Sequence, residues 1–278
     1  MTQPKLTQPR TTEQERSVNV LPGDRYVAMG SSFGAGPGIG RRAAGSPRKA
    51  GRSSINYAHL VASRLGLALD DVTFSGATAA EMLDSGVPGT PSQLDAVTAG
   101  TRLVTITAGG NDVGYLPGLV WASLPVFTRI APPVRRRVAD TQSRDRLDER
   151  FARLQHTMTL LVQAIRLRSP SCLIVLVDYL TVLPADESVT TRPLPTQTAA
   201  WGRDAAARLA AVTKAVAQSE SCLYAAASEM SQDHDAWSPI PWTKRFHYSL
   251  RGGAPYHPNA AGMAAVADLV ISVVGQRP

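Results

Sequence analysis

Tyr26-Val27-Ala28-Met29-Gly30-Ser31-Ser32-Phe33-Gly34 is the stretch whose reading decides the fold. An apolar run leads straight into small residues, so the chain leaves a buried strand and turns at once. A side chain presented there stands at the carboxyl end of the strand, the edge where open α/β sheets bind ligands. A serine in that place is a nucleophile candidate only if a base reaches it. Taken alone, a strand followed by Gly-Ser-Ser is an ordinary turn.

Working outward, apolar runs alternate with helical patterns, which indicates a parallel sheet flanked by helices. The strands are expected at Arg25–Met29, Asp71–Phe74, Leu103–Thr107, Leu173–Val177 and Leu223–Ala226. They are short and largely aliphatic, as strands buried on both faces should be. Helical spacing marks Asn56–Leu65, Leu147–Arg168, Thr198–Ser219 and Ala260–Val274. The fold class read from this pattern is α/β, a doubly wound parallel sheet of about five strands. Residues 1–22 are expected to be a flexible arm, and 23–278 one domain with a lid-like insertion at 114–145.

Composition sets the outer bounds. With 44% apolar and 18% charged residues the chain has the make-up of a globular protein with a real core. Lys and Arg exceed Asp and Glu by 29 to 22, an excess of +7 that mainly affects solubility; no nucleic-acid partner is expected. No run reaches the roughly 18 apolar residues of a membrane span. Met1–Val20 carries no apolar core of a secretory signal, so a cytoplasmic location is the default expectation, unless a signal was replaced or lies upstream. Cys172 and Cys222 are too few for a disulfide scaffold and lack metal spacing, although a bond between them is sterically conceivable.

Three further blocks accompany the first. Phe74-Ser75-Gly76-Ala77-Thr78 follows the second strand, and a glycine there lets a backbone N–H face a ligand. Ala108-Gly109-Gly110-Asn111-Asp112 follows the third, and an asparagine on that edge offers a neutral N–H to a developing negative charge. Tyr256-His257-Pro258-Asn259-Ala260-Ala261-Gly262 holds a histidine at a helix start, with Pro258 fixing the entry. The first block also fits Gly-x-Ser-x-Gly, the elbow of the α/β-hydrolases. That fold places several strands before its nucleophile, and only about thirty residues precede Ser32 here.

Order and placement of the four blocks resemble the SGNH (GDSL-like) hydrolase family, and within it the Ser–His dyad esterases and lipases of actinobacterial type. The resemblance spans residues 30 to 262 and rests on Gly30-Ser31-Ser32-Phe33, Gly76, Gly110-Asn111-Asp112 and the His257 block. It implies a flavodoxin-like three-layer sandwich and an esterase that needs no metal or organic cofactor. It further implies Ser32 as nucleophile and His257 as base, with an oxyanion hole formed by the N–H groups of Ser32 and Gly76 and the side chain of Asn111. Its substrate would be a small ester or a lipid of short to medium acyl chain, and the resemblance leaves secretion open beside the cytoplasmic default. The oligomeric state stays unread.

Two departures matter. Ser31 stands where the family usually has Asp, and Ala254 where the acid partner of the histidine usually sits. Losing that acid from an intact triad costs a factor of about 10⁴. The backbone carbonyl near Ala254 is the first expectation for orienting His257, in the small loop Gly252-Gly253-Ala254-Pro255; Asp235 is the second. A weak or non-catalytic binding protein on the same fold, an acyltransferase and a carbohydrate O-acetyl esterase are the rival readings. The Gly34–Arg52 stretch carries Arg41, Arg42, Arg48, Lys49 and Arg52 without an acid, and reads either as a solvated loop or as a site for an acidic headgroup or phosphate. It does not fit Gly-x-Gly-x-x-Gly, and His59, His156, His234 and His247 show no zinc pattern. Leu116–Ile130, with Trp121 and Phe127, is read either as a lid or acyl pocket, or as a helix packed on the core.

Overall fold

The computed structural model describes residues 20–248 and 254–276. All but the last three residues of the expected arm lie outside that range, as do Gly252 and Gly253. Five strands, β1 (Arg25–Gly30), β2 (Ala68–Asp71), β3 (Thr101–Thr107), β4 (Leu173–Val177) and β5 (Leu223–Ala225), form one sheet in the order β2-β1-β3-β4-β5. Every pairing is parallel. This is the doubly wound arrangement expected from the alternation. Strand β4 is buried along its whole length and β1 and β3 nearly so, which is why both faces are apolar and no two-residue alternation shows in their sequences.

Strand β2 was expected at Asp71–Phe74 and lies three residues earlier. As an edge strand, Ala68-Leu69-Asp70-Asp71 is half exposed and carries no apolar run to mark it. The expected segment still bonds to β1, through Val72 N–H to Ala28 O and Phe74 N–H to Gly30 O.

The helices in chain order are α1 (Ser32–Ala35), α2 (Tyr57–Leu65), α3 (Tyr115–Ser123), α4 (Val126–Arg129) and α5 (Pro132–Gln142). They continue with α6 (Arg144–Arg168), α7 (Thr196–Ser219), α8 (Ala227–Met230) and α9 (Ala260–Gly275). Helices α2 and α9 pack together on one side of the sheet, α6 and α7 on the other. Their starts are set locally. The side chain of Asn56 accepts the His59 N–H, and that of Asn259 accepts the Gly262 N–H. On α6, Leu147, Phe151, Leu154, Met158, Leu161, Val162 and Ile165 form one buried stripe. Burying each large member contributes about 1.5–3 kcal/mol.

The 114–145 stretch folds into α3, α4 and α5, and its apolar run divides. Tyr115, Leu116, Leu119 and Ala122 of α3 enter the core, and the Arg137 guanidinium of α5 lies 5.2 Å from the Trp121 ring centre. Val126, Phe127 and Ile130 instead stand in solvent, Phe127 at 75% exposure. Cys172 and Cys222 are free thiols. No helix among the described residues is long and apolar enough to cross a membrane.

Strands β1 and β3 are neighbours whose outgoing connections lead to opposite edges, to β2 and to β4. A crevice therefore opens at their carboxyl ends, the topological switch point of such sheets.

Candidate active site

Ser32 sits in that crevice because of what precedes it. Gly30 has φ +154°, and a Cβ there would lie 2.8 Å from Thr107 O, so only glycine lets β1 turn this close to β3. Ser31 N–H then donates to Thr107 O at 3.0 Å, and Ser32 opens the short helix α1. A buried amide fixes the turn from the other side. Gln93 Oε1 accepts the Gly30 N–H at 2.8 Å, and Gln93 Nε2 donates to Gly30 O at 3.0 Å.

The second and third blocks are stitched to the first. Phe74 N–H donates to Gly30 O. Asn111 Nδ2 donates one hydrogen to Ala77 O at 2.9 Å, leaving its other without a protein acceptor among the described residues. Gly76 has φ +89° with open space on its Cβ side, and neither its N–H nor that of Ser32 has an acceptor among the described residues. The Asp112 carboxylate accepts the Ala79 N–H at 2.9 and 3.2 Å. Burial raises its pKa to about 6; the Ala79 N–H opposes that rise and Glu81 adds to it.

His257 reaches Ser32 from the far end of the chain, with Nε2 2.7 Å from Ser32 Oγ. Its Nδ1 lies 2.8 Å from Pro255 O. A carbonyl only accepts, so Nδ1 carries the hydrogen and Nε2 presents a lone pair to the serine hydroxyl. The orienting carbonyl is thus that of Pro255, one residue beyond the Ala254 expected. The reason is the backbone of Tyr256, whose φ of +63° turns the chain so that the carbonyl preceding it faces the ring. Asp235 does not serve: its Oδ1 accepts the Trp237 N–H at 2.7 Å within its own turn.

Antiparallel bonding holds this loop. Lys244 N–H donates to His257 O, Tyr256 N–H to Lys244 O, and Asn259 N–H to Trp242 O. The imidazole is only 7% exposed. Burial drives its pKa down to about 4, against the Pro255 hydrogen bond, and the Lys244 charge pushes the same way as burial. His257 is therefore neutral at neutral pH.

Gln93, Tyr179 and Tyr256 complete the arrangement and were not read from sequence. Tyr179 Oη accepts the Gly110 N–H at 3.0 Å and lies 3.2 Å from Ser31 Oγ, while its ring packs on Phe33 at 4.4 Å. Tyr256 is fully buried and its hydroxyl lies 2.6 Å from Ser123 Oγ. The one available signal was position: Tyr179 follows the carboxyl end of β4, the same edge that yielded Ser32 and Asn111.

The sequence profile of the GDSL-like Lipase/Acylhydrolase family matches residues 28–265. Lipase 2 of Streptomyces coelicolor is 29% identical over 259 residues, which is 90% of this chain and 85% of that protein. Among solved structures, phospholipase A1 from Streptomyces albidoflavus NA297 has the same fold, with a TM-score of 0.74 at 21% identity, covering 90% of this chain and 99% of that one. The extracellular lipase of Streptomyces rimosus superposes with a TM-score of 0.71 at 25% identity, covering 90% and 100%. On a profile match over most of its length, the chain belongs to the GDSL-like lipase/acylhydrolase family and is a carboxylic ester hydrolase.

Proposed function

We propose that the protein is a serine esterase working through a Ser32–His257 dyad, with the Pro255 carbonyl in the place of a third, acidic member. The observation that carries this is the continuous line from Pro255 O through the imidazole to Ser32 Oγ, each step under 3 Å. Ser32 Oγ bonds to the ester carbonyl carbon as its proton passes to His257 Nε2. The carbonyl oxygen becomes an oxyanion, held by the N–H groups of Ser32 and Gly76 and the free amide hydrogen of Asn111. The ester C–O bond then breaks, and His257 returns its proton to the departing alcohol. Water attacks the acyl-serine, gives a proton to His257, and that proton goes back to Ser32 as the acid leaves.

A groove of about 930 Å³ lies near the site, although Ser32, Gly76, Asn111 and His257 are not on its wall. It runs between Ser123–Arg129, residues 187–196 and Phe246–Tyr248, and touches the dyad's support where Ser123 and Phe246 meet Tyr256. Exposed Val126 on its wall favours a lipid or medium acyl chain over an acetylated sugar, in keeping with the lipases named among its relatives.

The test is a panel of p-nitrophenyl esters of graded chain length with wild type, Ser32→Ala and His257→Ala, together with fluorophosphonate labelling. Wild type is expected to turn over and to be labelled at Ser32. Each variant should lose about 10⁴-fold or more in kcat. Undiminished turnover by Ser32→Ala would overturn the assignment.

A further inference from the structure

The loop that presents His257 has no acid to orient the imidazole, and its backbone does not rest in an ordinary conformation. Tyr256 has φ +63°, in the left-handed region that so bulky a residue rarely enters. Relaxing it would swing the Pro255 carbonyl away from His257 Nδ1, and the ring would lose its orienting partner. Such a conformation persists only where its surroundings hold it.

What holds it comes from the insertion. Ser123, the last residue of α3, donates its one hydroxyl hydrogen to Leu119 O at 2.8 Å. Toward Tyr256 Oη, 2.6 Å away, it can then only accept, so the phenol is the donor. Both residues are buried, and Trp237 and Phe246 each lie 6.3 Å from the Tyr256 ring, centre to centre.

Helix α3 is a firm anchor for this bond. A Cβ on Gly118 would lie 2.6 Å from the Trp201 ring, and one on Gly202 2.8 Å from Leu119 Cδ2. Helices α3 and α7 therefore meet at close range through a glycine on each side. The line from that contact to the nucleophile is unbroken: Leu119 O, Ser123 Oγ, Tyr256 and its backbone, Pro255 O, the imidazole and Ser32 Oγ.

We propose that Ser123 is a positioning residue for the base. By holding Tyr256 it aims the Pro255 carbonyl at His257 Nδ1, and so performs from the insertion the orienting task of a triad's carboxylate. This rests on the dyad reading above. It makes α3 a working part of the catalytic apparatus, although Ser123 bonds to neither member of the dyad.

The test uses Tyr256→Phe, which keeps the ring and removes only the donor, and Ser123→Ala, which removes only the acceptor. On p-nitrophenyl acetate each should lose about tenfold in kcat, the rate equivalent of one net hydrogen bond, at nearly unchanged KM. The double variant should lose no more than either single one, because all three lack the same bond. Should Ser123→Ala fold poorly by circular dichroism, Tyr256→Phe reports on that bond by itself.

A merely structural role would leave the imidazole as it was, so the ring supplies the second readout. In protein carrying isotope-labelled histidine, the nitrogen resonances missing from His257→Ala identify this ring. Wild type should hold the proton on Nδ1, and in the variants the two nitrogen shifts should converge as the proton divides between them. Full kcat in Tyr256→Phe overturns the proposal. So does a lowered kcat with unchanged His257 resonances, or losses that add in the double variant. Failure of the dyad would look different: p-nitrophenyl acetate hydrolysis would then survive Ser32→Ala.

Discussion

The acid limb of the rate profile is where the buried imidazole should declare itself. His257 acts as a base only when neutral, and burial sets its pKa at about 4 in place of the ordinary 6.5. At pH 5 about 0.9 of the molecules then hold a neutral imidazole, against about 0.03 for an unperturbed histidine, a difference of about thirtyfold in kcat/KM. The assay follows p-nitrophenyl butyrate hydrolysis from pH 4 to 8 at the wavelength where phenol and phenolate absorb equally, with circular dichroism to check the fold at each pH.

Asp112, with its pKa near 6, lies in the same range and must be separated. The Asp112→Asn variant does this, because its amide oxygen still accepts from Ala79. A limb centred near 6.5 that persists in Asp112→Asn would refute the reasoning.

Stability follows from the same two groups with opposite signs. The lowered pKa of His257 gives stability that is present above 6.5 and is lost as pH falls through 4, about 3 kcal/mol in all. The raised pKa of Asp112 gives stability that is complete below 3.8 and is lost as pH rises through 6, a similar amount. Between pH 4 and 6 the two cancel. Urea denaturation of wild type should be nearly flat there, whereas Asp112→Asn should lose about 3 kcal/mol between pH 6.5 and 4.

Two further outcomes are expected. Tyr179→Phe leaves the buried Gly110 N–H without its acceptor and frees Ser31 Oγ, so urea denaturation should show a loss of about 1–3 kcal/mol and kinetics a lower kcat at nearly unchanged KM. Replacing Val126, Phe127 and Ile130 together by Ser should leave short p-nitrophenyl esters hydrolysed at the original rate, because none of the three is buried, while lowering kcat/KM on long-chain esters several-fold.

What could be read from the sequence divides by distance along the chain. Strands β1, β3 and β4 are buried on both faces, so each is an unbroken apolar run, and Ser32 and Asn111 follow from where two of those runs stop. The α6 stripe showed its period for the same reason. The edge strand β2 was displaced because half-exposed residues carry no such mark.

Gln93 and Tyr179 were silent because their partners lie 63 to 148 residues away, and no local pattern encodes a contact at that separation. The carbonyl that orients His257 was misplaced by one residue because a tyrosine in the left-handed region is uncommon and nothing in Ala254-Pro255-Tyr256 announces it. Such strain persists only where the surroundings over-determine it, here through the buried ring of Tyr256 and its bond to Ser123.

The 225 residues that separate Ser32 from His257 give the site a second use, as a gauge of foldedness. Ser32 is an ordinary alcohol until the last helix has docked and brought the imidazole to it, and local opening of either segment returns it to that state. Covalent capture by a fluorophosphonate would therefore count only molecules that are native from one edge of the sheet to the other. In a mixture of folded and partly folded protein, the labelled fraction should therefore fall no later than the cooperative unfolding curve, and earlier wherever either segment opens locally.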